Sequence, residues 1–193
     1  MRFKTIAFIS AATLALAACG HKTATTDATD TTSIKTDAGA AAADTNMTAT
    51  APASGQGFAN AAAASDAFEI ATSKLALTTS KSAPIKKFAQ KMIDAHTDST
   101  AKLKAAAGSA SPAITPDPSF TSDQQLALDG MKAATGAEFE KAYIEAQVAG
   151  HRETLDALKA YSETGEVMPL KSLATSLIPT VTAHFNMAKA LKP

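Results

Sequence analysis

The stretch that decides the fold is residues 170–191, LKSLATSLIPTVTAHFNMAKAL. Leu170, Leu173, Leu177, Val181, His184, Ala188 and Leu191 recur every three or four residues. At 3.6 residues per turn this spacing places them on one face of a helix. Lys171, Ser172, Thr175, Ser176, Thr182, Asn186 and Lys189 fall largely elsewhere. An apolar stripe of this kind is unstable alone in water, so other helices must cover it.

Working backwards, the chain supplies three comparable helices. One runs over about residues 58–80, with Phe58, Ala61, Ser65, Phe68, Thr72 and Leu75 as its packed face and Glu69 beside that face. The next spans about 84–107 and carries Ile85, Phe88, Met92, His96, Ser99 and Leu103 in line. Pro84 suits its first turn and Gly108 its end. A third covers about 137–163, with Ile144, Val148, His151, Leu155 and Leu158 on one stripe and Phe139 and Tyr143 flanking. Gly165 and Pro169 turn the chain into the last helix, where Pro179 should produce a kink. Between the second and third, Pro112, Pro116 and Pro118 mark a crossing segment. A short helix follows from Thr121-Ser122-Asp123, its apolar residues being Leu126, Leu128 and Met131. Thr135 and Glu138 are spaced for a capping interaction at the start of the third long helix. Two short turns and one long crossing predict an all-α, ferritin-like four-helix bundle with a short extra helix in the long connection.

Composition fits this reading. The 193-residue chain holds 18 Lys and Arg against 18 Asp and Glu, and Trp is absent. Without a basic stripe, nucleic acid is not an expected partner. The single cysteine, Cys19, excludes a disulfide framework or a cysteine metal site within one chain.

That cysteine closes an N-terminal signal. Arg2 and Lys4 precede an apolar run too short to span a bilayer comfortably, which ends in Leu16-Ala17-Ala18-Cys19-Gly20. The ending resembles a bacterial lipobox, which implies cleavage before Cys19 and lipidation of its thiol and amine. Residues 1–18 are then a signal peptide, and the mature chain is held to a membrane by lipid on Cys19. Gly20, in place of an aspartate, implies onward export to the outer membrane, facing the periplasm. Residues 19–56 are rich in Thr, Ala, Asp and Ser and read as a disordered tether, roughly 35 Å long on average. The bundle domain is residues 57–193.

Helix geometry brings polar groups together. Glu69 and His96 stand nearly equidistant from the turn at Ser82, so an antiparallel hairpin sets them at one height. His151 and His184 flank the turn near Glu166 in the same way, offset by roughly 4 Å. With both hairpins in register, Glu69, His96, His151 and His184 converge. A hydrogen-bonded polar layer would satisfy them. So would one metal ion, since imidazole suits Zn, Cu, Fe and Ni and bundle cores host metals. Met92 and Met187, close in sequence to His96 and His184, are candidate soft ligands that would bias the site toward copper, although such methionines usually fill core space.

The segments FAQKMIDAH (88–96), GAEFEKAY (136–143) with His151 beyond, and LIPTVTAH (177–184) together resemble the bacterial domain-of-unknown-function family 4142. The resemblance covers about residues 58–191. It implies an outer-membrane or periplasmic protein with a ferritin-like bundle, and it brings no activity. The residues three before the histidines are Ile93, Val148 and Val181, not glutamates, and Glu69 is the one core carboxylate in view. The bridging carboxylates of a di-iron centre are therefore missing. No Gly-x-Ser-x-Gly elbow, phosphate-cradling Gly-rich loop or His-Glu-x-x-His occurs, so the reading leans away from an enzyme. Two functions remain: a cell-envelope lipoprotein whose bundle acts as a binding or stress-related module, or a periplasmic module holding copper or zinc on core histidines.

Overall fold

The computed structural model describes residues 54–193. The signal peptide, Cys19 and nearly all of the expected tether lie outside them. The described residues form five helices and no strand: α1 (Gly55–Thr79), α2 (Ala83–Gly108), α3 (Ser122–Ala133), α4 (Gly136–Thr164) and α5 (Met168–Ala190). Helices α1 and α2 pair as one antiparallel hairpin, and α4 and α5 as another. The hairpins meet through α1 against α4 and α2 against α5, so the four long helices close into a bundle. No described helix is long and apolar enough to cross a membrane.

Local chemistry sets the ends. Ser54 caps α1 by accepting from the Gly57 amide at 3.1 Å. Pro84 and Pro169 sit in the first turns of α2 and α5, where a missing N–H costs nothing. The cap expected from Thr135 and Glu138 does not form, since Thr135 makes no side-chain capping bond. Gly136 follows it at φ 55°, a left-handed conformation that carries the chain into α4 without a cap. The reciprocal box lies one helix earlier, between Thr121 and Gln124 at the start of α3.

The crossing segment lies along α1. Gln56 Nε2 donates to the Thr115 carbonyl, the Asp117 amide donates to Asn60 Oδ1, and Phe68 meets Phe120 edge-on. From Gln56 to Phe68 the helix rises roughly 18 Å, and an extended chain from Thr115 to Phe120 covers roughly 17 Å. The proline-rich stretch keeps the extended form that this match requires. Helix α3 then packs on α1 and α4, burying Leu128 and Met131. Leu126, expected with them, is 74% exposed.

Two other expectations shift by part of a turn. Helix α1 buries Phe58, Phe68 and Thr72 as expected, but its buried face widens to Ala59, Ala63, Asp66, Glu69, Ser73 and Ala76, whereas Ala61 faces solvent. On α4 the buried line runs through Tyr143, Gln147, His151 and Leu155, leaving Ile144 and Val148 at its edge. Pro179 does not break α5. Both Pro179 and Thr175, whose carbonyl loses its donor, are exposed, so the lost bond does not fall in the core.

The core has two apolar parts. Phe58, Leu103, Leu158, Tyr161, Leu170 and Leu173 fill one end, with Phe58 and Tyr161 stacked at 3.9 Å. Phe68, Ile85, Phe88, Met92, Phe139 and Tyr143 fill the other. Fully burying one such side chain contributes roughly 1.5–3 kcal/mol. At the second end, buried Glu140 of α4 ties down the α1–α2 turn, accepting from Ser80 Oγ at 2.7 Å and from the Lys81 and Ser82 amides. These donors, the Ser80 hydroxyl first, hold the Glu140 carboxyl below its usual range. Its stabilising effect is therefore present above about pH 4.5 and lost as the pH falls through the lowered value. Glu140→Ala should cost about 2 kcal/mol in urea unfolding at pH 7, and the difference from wild type should shrink in acid.

Candidate metal centre

Between the two apolar parts lies a polar layer to which all four long helices contribute. Helix α1 brings Asp66 and Glu69, α2 brings His96, α4 brings Gln147 and His151, and α5 brings His184. All six are buried. The three imidazoles face one another, with ring centroids 5.5 Å apart for His96–His151 and His151–His184 and 5.8 Å for His96–His184. One ring nitrogen from each can be chosen so that all three lie within 4.8 Å of one another.

The hydrogen bonds define which nitrogens are free. His96 Nδ1 lies 2.8 Å from Asp66 Oδ1, whose other oxygen accepts from Thr100 at 3.1 Å. His151 Nδ1 lies 2.8 Å from the Gln147 carbonyl, which can only accept, so Nδ1 carries the proton. His96 Nε2, His151 Nε2 and His184 Nδ1 are left buried without a hydrogen-bond partner in the protein. A buried polar group without a partner costs roughly 1–3 kcal/mol. That is a large fraction of the ~5–15 kcal/mol by which a domain is stable. A ring whose second nitrogen is tied to a carboxylate or carbonyl is the arrangement of metal-ligating histidines.

Glu69 stands beside the triad. Its Oε1 is 3.7 Å from His151 Nδ1, and neither of its oxygens has a hydrogen-bond partner. The carboxylate lies against the α4 backbone at Gly150, where a Cβ would come within 2.7 Å of Oε1. Glycine there lets the charge approach the helix. Met92 is fully buried among the apolar residues of the Phe88 end, and the Met187 sulfur accepts from Lys91 Nζ at 3.6 Å.

Asp66 is the residue that sequence reasoning missed. Glu69 is not the sole carboxylate in the core, because Asp66 is buried one turn before it. The signal was available: Asp66 is three residues before Glu69, so the two share a helix face. The alanine-rich sequence of α1 gave too little contrast to centre that face.

Burial depresses the pKa of His151 to about 4 and of His184 to about 3, so both are neutral at pH 7. Burial raises Glu69 to about 7, against the pull of His96 and of the nearby Gln147 side-chain amide. For His96, burial opposes protonation, but Asp66 and Glu69 outweigh it and raise its pKa. These shifts give a signed pH dependence. Between about pH 4.5 and 6.5 the unfolded chain binds protons at His151 and His184 that the folded chain does not, while folded Glu69 holds one that the unfolded chain has lost. The balance is one proton more in the unfolded state, so metal-free stability should fall as the pH drops through this window. Glu69→Gln removes the opposing proton, and the slope should become about twofold steeper. Urea unfolding at several pH values, without metal, measures both slopes.

Comparison with known proteins gives one result. Residues 37–191 match the family described as Domain of unknown function (DUF4142). No curated protein matches, and no solved structure matches. Because the match takes in the whole bundle and most of the chain, the protein belongs to the DUF4142 family.

Proposed function

We propose that the bundle is a metal-binding module that holds one transition-metal ion on His96, His151 and His184. The observation that carries this reading is the meeting of three buried imidazoles, which offer one nitrogen each within 4.8 Å of the others and each keep a buried nitrogen without a hydrogen-bond partner. A purely structural polar layer would pair its groups internally, because leaving them unpaired destabilises the fold. The donor set fits a borderline ion such as Zn or Cu. Asp66 and the Gln147 carbonyl orient two of the rings, and the flanking apolar clusters keep the layer dry. With both flanks filled by side chains, storage or transfer of an ion suits the layer better than chemistry on a bulky substrate.

The test is titration of the metal-free chain with Zn(II), Cu(II) and Cu(I), following bound metal and melting temperature. One ion per chain should bind, and at a hundredfold excess over Kd the melting temperature should rise by about 10 °C. A triple His96, His151, His184→Ala variant should lose both effects. Wild-type chain that retains no ion and melts at an unchanged temperature would dismiss the proposal.

The N-terminal sequence supports a place for this module. The Leu16-Ala17-Ala18-Cys19 segment supports a lipid anchor on Cys19 at the cell envelope, most simply the periplasmic side of the outer membrane. Cys19→Ser should move the protein from the membrane fraction to the soluble fraction after cell lysis. A wild type already found in the soluble fraction counts against the anchor.

A further inference from the structure

We propose, building on the metal-binding reading, that the ion enters and leaves through the seam between α2 and α5, with the seam between α1 and α4 as the hinge and Lys91, resting on Met187, as the latch.

The two hairpins are joined unequally. Three side-chain pairs cross the seam between α1 and α4: Ser65 with Thr154 at 2.9 Å, Ser73 with Tyr143 at 2.9 Å, and Gln147 with Thr72 at 3.2 Å. Glu140 of α4 holds the α1–α2 turn as well. Helix α3 packs on α1 and α4, and the crossing segment runs along α1. The opposite seam is bare by comparison. Among the described residues no helix packs over α2 and α5, and one side-chain hydrogen bond joins them, from Lys91 Nζ to the Met187 sulfur at 3.6 Å. A thioether is a weak acceptor, and this contact lies at the surface. Packed bodies part where their ties are fewest and turn about the side where they are most numerous.

The weak seam also runs through the histidine layer. His96 on α2 and His184 on α5 stand on its two sides, with ring centroids 5.8 Å apart. Parting α2 from α5 separates these two rings and lets solvent reach the triad. Helices α2 and α5 run antiparallel, since Phe88 shares an apolar cluster with Ala188 and Leu103 shares the other with Leu170. Lys91 precedes His96 by five residues, and Met187 follows His184 by three. Both therefore lie on the same side of the triad, within roughly 8 Å of it along the helix axes. The latch closes the seam beside the ligands and not at a remote end.

The test follows exchange of Zn(II), Cu(II) and Cu(I) by the full-length chain, with uptake read by competition with a chromophoric chelator and release read into excess chelator. A latch bars both directions. Lys91→Ala should therefore raise both rates, by about fivefold for a contact of this strength, and leave Kd within about twofold of wild type. Lys91 is exposed, so this variant disturbs no core packing. Met187→Leu keeps the apolar bulk but removes the acceptor, and it should do the same for Zn(II). The double variant should go no further than either single one, because both remove one contact. Ser65→Ala loosens the opposite seam and should leave both rates unchanged. Unaltered rates in Lys91→Ala, or Ser65→Ala exchanging as fast as Lys91→Ala, would overturn the route. Faster uptake with unchanged release would mean that Lys91 acts through its charge alone, and the latch would fall. Each of these results leaves the histidine site standing. If wild type binds none of the three ions, the site and its route fail together.

Discussion

Three imidazoles pressed together away from water, each with a bare nitrogen, are the constraint around which this bundle is built. Apolar side chains at either end supply the drive to fold, and they tolerate considerable exchange among residues of similar size. The histidine layer does not. Each ring is fixed on a different helix, so a slip of one helix by a turn would separate the nitrogens by roughly 5 Å. The layer thus specifies register in a way that the alanine-rich α1 and the leucine-lined α5 cannot do for themselves. The same layer withholds stability, because its unpaired groups cost free energy until something binds them.

The way the layer is supported follows from the helix pairing. Neighbouring helices are antiparallel, and the one long connection runs down the outside of α1 before α3 seals α1 and α4. Helix α1 is therefore covered by α2, by α4 and by the crossing segment. Its two carboxylates are held in the driest part of the protein, where an unpaired charge is felt most. Asp66 answers that condition by bonding to His96 and Thr100, and Glu69 does not.

Much of this was legible in the sequence. The strong stripe of α5 and the prolines at 84 and 169 place the helices closely, because leucine against lysine and serine gives a clear period. Counting residues from the turns brings His96, His151 and His184 to one height, since helix rise per residue is nearly constant. What was not legible has physical causes. Helix α1 is built from alanine, serine and threonine, whose small contrasts leave its face uncertain by part of a turn, and Asp66 was hidden by that shift. Tyr143 and Gln147 are buried through polar partners, the Ser73 hydroxyl for one and the Thr72 hydroxyl for the other, which periodicity in apolar residues does not detect. Leu126 is apolar and exposed, and only the packing of α3 against α1 and α4 decides that.

The distribution of the imidazoles over the two hairpins has a further meaning. His96 belongs to the first hairpin, and His151 and His184 to the second. Neither half alone offers a trigonal set of nitrogens. A cation seated among them would act as a rivet between the two hairpins, and it would be captured only once both had docked. In the unfolded chain, scattered single histidines would release any cation they met. On the metal-binding proposal, loading would wait until folding is complete.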